Sequence, residues 1–176
     1  MNIACLGWGS LLWKPGALRI AGQWKADGPP VAVEFCRVAE GGELSTAISL
    51  NAQPLPVFWA QVDSDDLESA CRMLREREQI PAQRSDGVAS MLIAPGQEGP
   101  LMRWAIARRL DAVIWTGLPP CFAGTENRMP SQRDAIDYLQ SLEGDQLKHA
   151  RDYIEQVPRL LDTSYRQAIR RELGWG

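Results

Sequence analysis

The sequence predicts an α+β fold, and three observations carry that expectation. Short runs of apolar and β-branched residues, closed by glycine and proline turns, fill the first two-thirds of the chain. One stretch within that part, opening at Asp63-Ser64-Asp65-Asp66, has helical spacing and an acidic start. After Pro130 the pattern changes to three helix-length segments separated by Gly144 and Pro158. With 176 residues, 45% of them hydrophobic, one domain with a sizeable core is expected over residues 1–176. It comprises a β-rich core to about residue 120 and a helical extension from about residue 131.

The elements follow in order. Residues 3–6 form an apolar strand that runs into the turn Gly7-Trp8-Gly9-Ser10. Residues 31–38 and 44–50 are two more strands, joined through Gly41-Gly42. Residues 57–62 are another, its start set by Pro54 and Pro56. Ser64 caps the helix that follows. A strand at 88–94 closes at Pro95-Gly96, Leu101, Trp104, Ala105 and Arg108 have helical spacing, and 112–116 is a last strand before Gly117. In the tail, residues 131–142 start with a Ser-x-x-Asp cap, 145–157 carry Leu147, Ala150 and Ile154 inward, and 163–173 end at Gly174, a left-handed cap. The chain has no internal repeat.

Composition removes several classes of function. Nineteen basic against 22 acidic residues, with one histidine, give a charge of −3, so no basic field favours nucleic acid. No apolar run reaches the roughly 18 residues of a membrane span. Met-Asn-Ile-Ala-Cys-Leu-Gly lacks the basic-then-apolar pattern of a secretory signal, so a cytoplasmic location is expected. A single His149, in a polar helical stretch, excludes a multi-histidine metal site and reads as a solvated side chain. Cys5, Cys36, Cys71 and Cys121 are spread singly and read as small hydrophobes in a reducing compartment. Gly7-Trp8-Gly9-Ser10-Leu11-Leu12 lacks the third glycine of the dinucleotide fingerprint, and no Gly-Lys-Ser/Thr occurs. No cofactor and no metal is expected.

Two features can carry chemistry. In Gly7-Trp8-Gly9-Ser10-Leu11-Leu12-Trp13, two glycines let the backbone turn sharply and offer its N–H groups to an anion or a developing oxyanion. The plain alternative is a tight turn with two packed tryptophans. Ser10 is not set up as a nucleophile, because Leu12 breaks the Gly-x-Ser-x-Gly elbow and no histidine base is in prospect, so it reads as a donor. The second feature is Leu74-Arg75-Glu76-Arg77-Glu78. At roughly 100° per residue, Cys71, Leu74 and Glu78 fall within about 40° of Leu67, while Glu76 falls about 180° away. A carboxylate on an apolar stripe is paired with a cation or sits in a cavity where it acts; a fraying helix end is the plain alternative. Glu34 and Arg37 lie on opposite faces of one strand and do not pair across it. Trp8, Trp13, Trp59 and Trp115 border strands as core first and pocket lining second. Asp162-Thr163-Ser164-Tyr165-Arg166 reads as a helix cap.

A strand running into Gly-Tyr-Gly-Ser-Leu, with a later helix ending in Leu-x-x-Arg-Glu, is a pairing of the γ-glutamylcyclotransferase superfamily. The first 120 residues or so resemble that superfamily, and its ChaC-type branch in particular, through Gly7 to Leu11 and Leu74 to Glu78. Trp13 and Pro15 also stand in family-like places, whereas Trp8 replaces the usual tyrosine. The tail resembles a bacterial side branch of the superfamily. The resemblance implies a mixed β-barrel or sheet and a loop of Gly7, Trp8, Gly9, Ser10 and Leu11 that holds a γ-glutamyl group. It makes Glu78 the acid–base and implies a small-molecule γ-glutamyl substrate. Some arginine is then expected to line the pocket as the partner of the substrate's carboxylate, with Arg37, Arg77 or neither of them in that place. Partial burial is expected to raise the pKa of Glu78, unless Arg75 or Arg77 pairs with it.

Three readings follow: a cyclotransferase releasing 5-oxoproline, a non-catalytic module that binds a small metabolite in the same cavity, and an interaction protein whose helical tail docks a partner or a second copy as a homodimer.

Overall fold

Ile3 to Gly7 are all buried, and that five-residue strand (β1, Ile3–Gly7) is the spine of the first sheet. The computed structural model describes residues 1–176. Its class is mixed α+β, with five helices and two mixed sheets, one of them curled as a half-barrel. The chain divides into two compact units, each made of separated segments.

The first unit holds residues 1–7, 11–30 and 56–118. Its sheet has the order β2 (Ile20–Lys25), β6 (Phe58–Val62), β1, β8 (Ala112–Thr116), β7 (Val88–Leu92). β1 pairs antiparallel with β6 and parallel with β8, in the register Cys5 opposite Ile114. Helix α1 (Leu67–Arg77) lies against β7 and β8, and its inner face joins Ile3, Cys5, Leu11, Leu18 and Ile114 in one core. Helix α2 (Pro100–Ala107) confirms the spacing of Leu101, Trp104 and Ala105. The cap of α1 differs from expectation. Asp66 accepts from the Ser69 N–H at 2.7 Å, while the Ser64 hydroxyl turns to the Asp66 carbonyl. The ionised residue next to the first helical turn wins the helix donors over the neutral hydroxyl two residues earlier.

The second unit holds residues 8–10, 31–55 and 119–176. Its sheet has the order β10 (Thr125–Glu126), β9 (Cys121–Phe122), β3 (Pro30–Val38), β4 (Leu44–Ile48), with β5 (Pro54–Pro56) also on β3. The helical tail shares this unit with β3 and β4. It consists of α3 (Gln132–Ser141), α4 (Gly144–Gln156) and α5 (Ser164–Leu173). Ser131 and Asp134 form the expected capping box, and Gly174 ends α5 in the left-handed conformation. Inside the tail, Arg166 is 1% exposed and donates to the carbonyls of Ile154, Val157, Pro158 and Leu161, closing the end of α4.

Candidate active site

Glu78 stands one residue beyond α1, as its C-cap, with helical backbone angles and its N–H on the Leu74 carbonyl. It keeps the inward phase expected for it, and Glu76 is exposed. The Glu78 side chain is 14% exposed. Its Oε1 accepts from the Thr116 hydroxyl at 3.2 Å and from Arg77 Nη1 at 3.2 Å. Arg77 also donates twice to the Lys14 carbonyl, at 3.0 and 2.8 Å, tying the helix end to the turn that follows Leu11. A carboxylate at the negative end of a helix dipole is poorly placed for stability. Arg77 and Thr116 compensate it on Oε1.

Thr116 ends β8, and Gly7 ends β1, the parallel neighbour of β8. Glu78 is therefore held at the carboxyl end of two adjacent parallel strands, the edge where open sheets with parallel pairs bind ligands. Gly7 has to be glycine: a Cβ there would lie 2.8 Å from the Trp24 ring and 2.9 Å from Leu12. Leu11 is buried in the same core as Leu74. Cys5 is no nucleophile for this edge. Burial first, and then the charge of Glu78, push its thiol pKa far up.

Trp8, Gly9 and Ser10 belong to the second unit. There Thr46 donates its hydroxyl to the Trp8 carbonyl at 2.8 Å, and Tyr153 stands beside it. Ser10 begins a short 3-10 turn, Ser10–Leu12. Arg37 directs Nη1 to the Pro119 carbonyl at 2.9 Å and Nη2 to Glu126 at 3.2 Å, holding the β9–β10 hairpin. Glu34 turns instead to the start of α5, so it and Arg37 have separate partners. Gly7, Leu11 and Glu78 thus share one unit, and Trp8, Gly9, Ser10 and Arg37 the other. Cys36 is buried, its thiol pushed up to about 12 chiefly by burial. His149 is exposed and lies 2.9 Å from Glu43.

Thr116, Thr46 and Tyr153 escaped the sequence reading. Thr116 carried a usable signal: strand alternation puts it on the face of Ala112 and Ile114, so it is the polar end of a core stripe. Thr46 and Tyr153 carried none, since their partners lie far away along the chain. An open groove of about 630 Å³ in the first unit, lined in part by Lys25, Trp59 and Gln61, is separate from Glu78. Asp27 is locked there by Trp59 Nε1 at 2.8 Å and Arg108 at 2.6 Å.

No family model, curated protein or solved structure matches the chain. No helix is long and apolar enough to cross a membrane.

Proposed function

We propose that the chain is a γ-glutamylcyclotransferase-like enzyme that releases 5-oxoproline from a γ-glutamyl amide or peptide in the cytoplasm. The observation that carries this reading is Glu78, a half-buried carboxylate at the carboxyl end of the β1–β8 pair. Its Oε1 is anchored by Thr116 and Arg77, and the glycine loop begins at the neighbouring strand end. The resemblance assigns the Gly7 to Leu11 loop to the substrate's glutamyl group, and both ends of that loop, Gly7 and Leu11, share a unit with Glu78.

A γ-glutamyl amide contains its own nucleophile. Oε2 of Glu78 takes a proton from the substrate's α-ammonium, and the freed amine attacks the δ-carbonyl to close a five-membered lactam. The backbone N–H groups of the loop meet the charge that develops on the carbonyl oxygen. Glu78 then returns the proton to the departing amine as the C–N bond breaks. Holding amine and carbonyl in one folded conformer supplies several kcal/mol of the barrier reduction. Trp8, standing where the family has tyrosine, widens the apolar wall and shifts the preference among γ-glutamyl compounds.

The test is a panel of γ-glutamyl amides and peptides, with 5-oxoproline assayed by mass spectrometry. Turnover by the wild type and none by Glu78→Gln supports the reading; no turnover of any panel member by folded protein defeats it. The Arg77–Glu78 pair favours one other reading, a binding module whose carboxylate is structural. In that case 5-oxoproline raises the melting temperature of wild type and Glu78→Gln alike, and no substrate is consumed.

A further inference from the structure

We propose that Tyr153, from the helical tail, is a positioning residue of the glycine loop: acting through Thr46, it fixes and polarises the peptide group between Trp8 and Gly9. The inference rests on the cyclotransferase reading, in which the N–H groups of this loop face the reacting carbonyl. Four observations within the second unit carry it. The Thr46 hydroxyl lies 2.8 Å from the Trp8 carbonyl oxygen. It also lies 3.1 Å from the Tyr153 hydroxyl, and the Thr46 N–H donates to that same tyrosine oxygen at 3.2 Å. Tyr153 is 6% exposed. A Cβ on Gly9 would come within 2.5 Å of Thr46 Oγ1 and 2.6 Å of Tyr153 Oη, so glycine alone lets both hydroxyls close on the loop.

The proton positions follow from chemistry. A carbonyl oxygen only accepts, so the one hydroxyl proton of Thr46 goes to Trp8. Within the hydroxyl pair Tyr153 is then the donor and Thr46 the acceptor. The chain runs Tyr153 O–H to Thr46 O–H to the Trp8 carbonyl, each bond strengthening the next. The Trp8 carbonyl and the Gly9 N–H belong to one peptide unit. Withdrawing electron density at its oxygen makes its N–H a stronger donor. Neither side chain touches substrate; both act through the peptide. The tail of residues 119–176 thereby contributes to the rate as well as to the fold.

The experiment uses ¹⁵N-labelled full chain and the variants Tyr153→Phe, Thr46→Val and Thr46→Ser, with two readouts. The first is the Gly9 amide, by its proton shift and its hydrogen exchange. The second is 5-oxoproline release, separated into kcat and KM. Tyr153→Phe and Thr46→Val are expected to move the Gly9 proton upfield and to change its exchange rate. They should also lower kcat about tenfold with KM within about twofold, since the lost contact lies one bond removed from an oxyanion donor. Thr46→Ser keeps the hydroxyl and is expected to restore most of the rate and the wild-type amide shift. If Tyr153→Phe does not fold, Thr46→Val cuts the same chain at its middle and decides the matter. A wild type without turnover defeats the cyclotransferase reading alone, and the Gly9 amide still judges the relay. An unmoved Gly9 amide in both variants, or a rise in KM at constant kcat, overturns the proposal.

Discussion

Two inward-facing glutamates, one in each unit, show two uses of a carboxylate taken out of water. Glu34, 2% exposed, sits at the positive end of α5. Oε1 accepts from the Phe35 N–H at 2.9 Å, and Oε2 accepts from the Ser164 hydroxyl at 3.1 Å and the Tyr165 N–H at 3.3 Å. Glu78 sits at the negative end of α1, less deeply buried, with its Arg77 and Thr116 bonds on Oε1. A helix start supplies Glu34 with donors on both oxygens. A helix end works against Glu78, and the arrangement around it steadies the residue. The difference teaches that two inward-facing carboxylates can differ in how many donors each oxygen has taken up, whatever their depth.

Exchanging each glutamate for glutamine should give opposite results. Glu78→Gln is expected to lower kcat on the order of 10³-fold, the contribution of a positioned acid–base, while the urea midpoint stays at the wild-type value. Exposed Glu76→Gln changes neither. Glu34→Gln is expected to leave kcat alone and cost about 2 kcal/mol of stability, because the amide brings an NH₂ among fixed donors. Equal stability losses in the two variants would erase the contrast.

Acidity refines the same comparison. Burial holds the pKa of Glu34 above the ordinary carboxylate value, against the opposing pull of its hydrogen bonds. An acid whose folded pKa is raised contributes stability that is fully present below its unfolded pKa and is lost as pH rises through the folded one. The stability advantage of wild type over Glu34→Gln should therefore be largest near pH 4 and narrow towards pH 8, as read from urea midpoints across that range. A gap that widens with pH would contradict the cause assigned here. The smallest effect is expected from Thr116→Val, which removes one donor from Glu78 Oε1 for about 1 kcal/mol or less. Its kcat should stay within about twofold of wild type, without the tenfold loss of the Tyr153 variant.

The inward turn of Glu78 was legible because helix phase is a property of a few neighbouring residues. The strands β1, β3, β6 and β8 were legible for a similar reason: each is a short, mostly apolar run with turn residues nearby. β2 was not, since Gly22 and a register shift between Ala21 and Lys25 break its pattern and most of it is exposed. β5, β9 and β10 are too short to carry a period. The roles of Glu34 and Arg166 stayed hidden in different ways. The Ser164 donor to Glu34 Oε2 lies 130 residues downstream. Arg166 lies inside a segment that reads adequately as a cap, although it closes the preceding helix.

The Arg166 clamp also bears on how the chain is made. The carbonyls of Ile154, Val157, Pro158 and Leu161 all precede their donor in the order of synthesis. A nascent chain that has reached residue 160 contains all of α4 and nothing to close it, so its last turn stays frayed in water. Only when the ribosome has released residue 166 does the guanidinium arrive to collect all four acceptors. The tail is thus locked from its late end backwards.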